Sequence, residues 1–187
     1  MNEKNDEFIK EDIDKEPLFI KLSDDSVINI TGESGSGKSF YTNKYLNDNN
    51  YIVIDTDLIF SNKDVDNKYI LELRNVFVGM DKLELINNFD DCYFKIIKSF
   101  KDMNKTLVID SAQFRNVKDI NILVGEIIVL RTSIDKCYDR CIKRYIANNK
   151  NLTEDELQQY KKRKYNIYEW YHGLNDFISR LIDVNNK

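Results

Sequence analysis

The chain has 187 residues, 42% hydrophobic and 12% aromatic, which is enough for one substantial core and short of the usual size for two. Charged residues make up 32%, there is a single Pro, and no apolar run approaches the roughly 20 residues of a membrane-spanning helix, so collagenous, disordered and transmembrane classes are excluded. The formal net charge of −4 equals the imbalance of the first sixteen residues, where seven acidic side chains face three lysines.

Residues 1–16 therefore read as an acidic, partly disordered leader, and 17–187 as one folded domain. No basic segment followed by an apolar one marks a secretory signal, and the three cysteines offer no second pair beside Cys137 and Cys141 for a tetrahedral metal site. The expectation is a cytoplasmic protein with buried thiols. His172 is the only histidine and is expected to pack or to face solvent.

In chain order, short apolar runs rich in β-branched residues lie at 27–30, 51–54, 106–109 and 126–130, with a weaker one at 181–184. Stretches of helical period separate them, a pattern that predicts an α/β fold with a mostly parallel sheet. The segment 58–105 is long for a crossover and predicts two or three inserted helices. Thr153 with Glu156 reads as a capping box that opens a helix running through Tyr165, Tyr168 and Trp170 to a stop at Gly173. The tyrosines there suit one apolar helix face better than a base-stacking platform.

Directly after the first run, Gly32, Glu33, Ser34, Gly35, Ser36, Gly37, Lys38 and Ser39 fit G-x-x-x-x-G-K-[ST], and a helical stretch begins at Phe40. Glycines let such a loop wrap a phosphate so that backbone N–H groups converge at a helix N-terminus, where the macrodipole also favours an anion. Lys38 then reaches the outer phosphates of a nucleotide, and the Ser39 hydroxyl can ligate Mg²⁺. Asp110 ends the third run, the place from which a carboxylate holds Mg²⁺ through water. Ser111 follows it where water-activating ATPases usually carry Glu, and no N-K-x-D signature for guanine is present.

Asp55 and Asp57 close the second run. An i, i+2 pair on a strand looks to one side, so one carboxylate can take a proton from an acceptor hydroxyl and the other can serve the metal or its waters. Only seven of the 28 basic residues are Arg, yet Arg131, Arg140 and Arg144 fall close together, with Arg140 and Arg144 one turn apart on a predicted helix. Guanidinium groups suit the charge that spreads over a transferring phosphoryl group, which makes these three candidate catalytic residues. Arg74, the only Arg of the inserted region, and Arg115 are candidate acceptor contacts.

These residues resemble the P-loop small-molecule kinases: adenylate-kinase-like, shikimate-kinase-like and deoxynucleoside-kinase-like enzymes. The loop from Gly32 to Ser39 is common to all of them. Ile54-Asp55-Thr56-Asp57 with Leu58 and Ile59 is similar to the strand-two motif of shikimate kinases, whose two aspartates face Mg²⁺ and the acceptor. Ile128-Val129-Leu130-Arg131-Thr132-Ser133, with Cys137, Arg140, Arg144 and Tyr168-Glu169-Trp170, is similar to the fourth strand, lid and following helix of deoxynucleoside kinases. No one family is matched throughout, since Asp110-Ser111-Ala112 stands where deoxynucleoside kinases have Glu-Arg-Ser and the shikimate-kinase Gly-Gly-Gly loop is missing.

The resemblance implies a three-layer P-loop NTPase fold with a five-stranded sheet in the order 2-3-1-4-5, an acceptor region at 58–105 and a lid at 132–152. It also implies an ATP- and Mg²⁺-dependent phosphotransferase with a small-molecule acceptor, a nucleoside or nucleotide among the candidates. An ATP-binding module or slow NTPase with a regulatory role is the alternative. Nucleic-acid binding is not expected from a negative chain without a basic stripe, nor is a membrane partner. The sequence leaves the oligomeric state open.

Overall fold

The computed structural model describes residues 14–162 and 164–187. The four strong apolar runs become β2 (Val27–Thr31), β3 (Tyr51–Asp55), β4 (Thr106–Asp110) and β5 (Glu126–Arg131), and β1 (Lys15–Lys21) precedes them. The strands form one sheet in the order β1-β5-β2-β4-β3. β2 to β5 run parallel, so the polar residue ending each run arrives at one edge of the sheet. Side chains alternate across the pleat and divide the core. Ile30, Val108, Ile128 and Leu130 pack with Leu46 on one face, while Ile109, Ile127 and Val129 join the larger cluster on the other.

The sheet is mixed, and the expected order 2-3-1-4-5 is corrected at its last place. The four parallel strands stand in the order second, third, first and fourth, but the fifth position belongs to β1, antiparallel to β5. Residues 181–184, expected as that strand, lie in the helix α8 (Lys164–Asn185). Leu174, Phe177 and Leu181 recur at helical spacing and are all buried, so the short run was the visible end of a helical stripe. Gly173 does not stop this helix, because it lies inside it without a left-handed φ.

β1 also takes residues 15 and 16 from the expected leader, while residues 1–13 lie outside the described residues. Its Pro17 sits at a register shift between Lys15 and Leu18, as an edge strand permits where a backbone donor is missing.

Helix α1 (Lys38–Tyr45) follows the glycine-rich loop. The segment between β3 and β4 folds into α2 (Thr56–Ile59), α3 (Lys68–Val76), α4 (Lys82–Asn87) and α5 (Phe89–Phe100), and α5 buries Phe89, Cys92, Tyr93, Ile96 and Phe100. After β5 come α6 (Ile134–Asn148), α7 (Glu154–Lys162) and α8. The expected capping box forms: Glu156 N–H donates to Thr153 Oγ1 at 3.3 Å and Thr153 N–H to Glu156 Oε2 at 2.8 Å. Cys92, Cys137 and Cys141 are buried free thiols. Among the described residues no helix is long and apolar enough to cross a membrane.

Candidate functional site

The sheet's C-terminal edge opens onto a cleft of about 1090 Å³, lined by the loop from Ser34 to Ser39, by Phe40 and Tyr41 of α1, by Asp55, Asp57 and Asp110, and by Arg140 and Arg144 of α6. The loop's path needs glycine. Gly35 has φ +84°, and a Cβ there would lie 2.5 Å from the Cys137 carbonyl oxygen, so the loop lies directly on the first turns of α6. At Gly37 the chain turns into α1 with no side chain capping the helix, which leaves the first-turn N–H groups at the cleft.

Lys38 folds its ammonium back over the loop and donates to the carbonyls of Gly32 (3.0 Å) and Glu33 (3.2 Å). Thr132 Oγ1 donates to Ser36 O at 2.8 Å, and the Ser36 hydroxyl is buried without a hydrogen-bond partner among the described residues. Arg140 Nη1 donates to Gly35 O at 2.9 Å, and Arg144 Nη2 to Ser34 Oγ at 3.4 Å. Both arginines expected on one helix face thus meet the loop.

Facing them, Asp55 and Asp110 are register partners at the ends of β3 and β4. The strand stops at Asp55, whose Oδ1 accepts the Asp57 N–H at 2.9 Å and caps α2. The expected i, i+2 strand pair is corrected accordingly: Asp57 belongs to a helical turn, although both carboxylates line the cleft. Asp57 is ion-paired with Lys82 at 3.1 Å. Burial pushes the Asp110 carboxyl up to about 7, with Lys38 opposing and the charges of Asp55 and Asp57 adding to the rise. Asp55 is raised too, first by burial and then by Asp57. Beneath them Thr56 Oγ1 donates to Ser111 Oγ at 2.7 Å, a buried contact that ties the ends of β3 and β4 together.

Three expected contacts do not reach the cleft. Arg131 donates through Nε to Glu16 O at 2.7 Å and staples β5 to β1. Arg74 donates to Leu58 O (2.9 Å) and Lys63 O (2.8 Å), fastening the turn after α2. Arg115 forms a buried ion pair with Glu33, a single Nη1 lying 3.2 Å from each carboxylate oxygen, and its guanidinium carbon is 4.9 Å from the centre of the Trp170 ring. Gly32 and Glu33 likewise sit behind the loop and do not line the cleft. Guanidinium groups satisfy carbonyls as readily as they satisfy ligands, and only the fold tells which is within reach.

The sequence reading passed over Lys63, Lys82, Lys143 and Asp14, all of which line the cleft. Asp14, counted with the leader, accepts from the Ser133 N–H at 2.8 Å and from the Lys136 ammonium, which hold its carboxyl below the ordinary range. No signal shorter than the strand pairing could have found it. Among the described residues no group of three or more His, Cys, Asp or Glu side chains forms a metal site by itself. No protein-family model matches the chain, and no curated protein matches it in sequence.

Proposed function

We propose that the protein is an ATP- and Mg²⁺-dependent phosphotransferase acting on a small-molecule acceptor. One observation carries the reading: a single cleft has Lys38, Arg140 and Arg144 gathered on a glycine-rich loop along one side and three carboxylates along the other. The uncapped first turn of α1, the unpartnered Ser36 hydroxyl and the Lys38 ammonium are donors suited to a polyphosphate. Magnesium is usually held by one or two carboxylates together with substrate phosphates and waters, and it demands no closed protein cage. The Ser39 hydroxyl, Asp55 and Asp110 through water fit it, since the buried acids call for a cation that Lys38 alone does not supply. When bound, the ion would neutralise phosphate charge.

In this reading the acceptor hydroxyl oxygen attacks the γ-phosphorus, the bond from that phosphorus to the β–γ bridging oxygen breaks, and ADP leaves. Asp57 takes the hydroxyl proton, while Lys38, Arg140 and Arg144 meet the charge on the phosphoryl oxygens. The arginines are loosely enough engaged to do so, for a carbonyl or hydroxyl oxygen is a weaker partner than a phosphate. Incubation with γ-phosphate-labelled ATP, Mg²⁺ and a metabolite pool tests the reading. The label should move into a small molecule, and label found only in inorganic phosphate would favour a nucleotide switch instead.

A further inference from the structure

Next to Asp57, which Lys82 meets at 3.1 Å, the cleft lining includes Leu58, Ser61 and Lys63, and these residues with Lys82 are taken together as a seat. This seat is built. Arg74 bonds the carbonyls of Leu58 and Lys63 and approaches Ser61 Oγ at 3.5 Å, so one half-buried guanidinium fixes the turn that carries Ser61 and Lys63. Asn67 Nδ2 donates to Val53 O at 3.2 Å and moors the same segment to β3. Lys82 opens α4, whose Asp81 and Glu84 complete a capping box.

The chemistry of the seat is narrow. Its four side chains among the described residues are one aliphatic, one hydroxyl and two ammonium groups, and none is aromatic. Among the described residues the three rings that line the cleft, Phe40, Tyr41 and Tyr45, all belong to α1. A nucleobase at the acceptor end would forgo the stacking that is worth about 1–3 kcal/mol per base where a ring is present. Two exposed ammonium groups beside Asp57, by contrast, favour an acceptor that carries anionic charge. Lys63 pairs with no carboxylate among the described residues, and Lys82 carries three donors of which the Asp57 bond uses one. With Lys82 already paired to Asp57, a phosphomonoester still offers what a single carboxylate does not, three anionic oxygens that can accept from Lys63 and from a free Lys82 donor at once while carrying up to two charges.

We propose that the acceptor is a compact, non-nucleoside hydroxy compound that already bears a phosphomonoester, gripped at that group by Lys63 and Lys82 with its hydroxyl turned to Asp57. The proposal rests on the phosphotransferase reading and specifies its second substrate. The new ester forms between the acceptor hydroxyl oxygen and the γ-phosphorus of ATP, ADP departs, and the hydroxyl proton goes to Asp57, leaving a bisphosphorylated product.

Two measurements separate the two claims. Calorimetry with a non-hydrolysable ATP analogue and Mg²⁺ reports nucleotide binding alone, and absence of binding overturns the phosphotransferase reading and this proposal together. Label transfer from ATP is then followed with glycerol phosphate and fructose phosphate, with unphosphorylated glycerol and fructose, with malate, with adenosine and thymidine, and with their monophosphates. The expected result is label in a phosphorylated polyol or sugar, with Lys63→Ala and Lys82→Ala each raising the acceptor KM about tenfold or more while the analogue binds as before, and Lys63→Arg largely restoring it. Preferred labelling of a nucleoside, a nucleotide, malate or an unphosphorylated compound overturns the proposal. So does an acceptor KM indifferent to both lysines, or a protein that binds the analogue and labels none of these acceptors.

Discussion

Arg115→Ala should destabilise the fold by about 3–5 kcal/mol, because it leaves Glu33 as a buried carboxylate without its partner. Glu33 is 3% exposed and the Arg115 side chain 11%, so the carboxylate is held by the guanidinium and little by water. Lys38 also opposes the Glu33 charge, but its ammonium is bonded to main-chain carbonyls of the loop. In a chain of this length each kcal/mol shifts Tm by about 2–4 °C, so the midpoint followed by far-UV circular dichroism should fall by about 6–20 °C.

The pH dependence supplies an independent check. Burial already holds the Glu33 carboxyl above the ordinary range against Arg115 and Lys38. An acid whose folded pKa is raised contributes its stability fully below the unfolded pKa and loses it as pH climbs through the folded one. Removing Arg115 raises that folded pKa further, so the penalty should be largest near neutral pH and should shrink as pH falls toward the ordinary carboxylate range. The double variant Glu33→Gln with Arg115→Met removes both charges and should recover most of the loss, as replacements of whole buried pairs often do. A loss under about 1 kcal/mol that does not vary with pH would refute the reasoning, since that is how an exposed pair behaves.

Lys38→Ala should keep the native circular dichroism spectrum yet lose about 2–4 kcal/mol of transition-state stabilisation in label-transfer kinetics, and unchanged turnover would remove this loop from the reaction. Asp57→Asn should depress phosphoryl transfer far more than affinity for a non-hydrolysable ATP analogue, and equal losses in both would contradict its place on the acceptor side. Gly35→Ala should cost about 1–3 kcal/mol in urea unfolding and weaken nucleotide binding, because its Cβ would meet the Cys137 carbonyl at 2.5 Å with φ at +84°. Burial pushes the Cys137 thiol up to about 12 and Cys92 up to about 11, so neither should take up iodoacetamide in the native protein at mildly alkaline pH. Mass spectrometry that finds either one rapidly alkylated before denaturant is added would contradict that burial.

What was legible in the sequence is what lies close together along it. The loop from Gly32 to Ser39 spans eight residues, and its strand, turn and helix can each be read in place. β4 and β5 announce themselves as β-branched runs because both of their faces are buried, and β3 at the far edge alternates between buried and half-buried residues and still reads as one. β1 does not, since it is an edge strand with Phe19 53% exposed, behind a stretch whose charge reads as solvated tail. Its assignment depends on pairing with β5, more than a hundred residues away. Residues 181–184 failed for the opposite reason, because four apolar residues fit a strand as well as the end of a helix until the stripe back to Leu174 is included.

The arginines show where sequence runs out. All five candidates carry the same fork of donors, and nothing local distinguishes them. In the fold they sort by the partner each already has. Arg115 meets a carboxylate in a nearly dry setting, so releasing it would strand a charge at a cost of several kcal/mol, and it is committed to structure. Arg74 and Arg131 satisfy carbonyls of the turn after α2 and of β1, outside the cleft lining. Arg140 and Arg144 also bond neutral oxygens, those of Gly35 and Ser34, but they do so at the cleft surface on the loop itself. A phosphate oxygen arriving there would offer a charge-assisted bond roughly twice as strong as the neutral one it displaces. Of the five, only these two stand in the cleft lining with a neutral partner that a phosphate oxygen could displace, which is why the proposed chemistry assigns the transferring phosphoryl group to them.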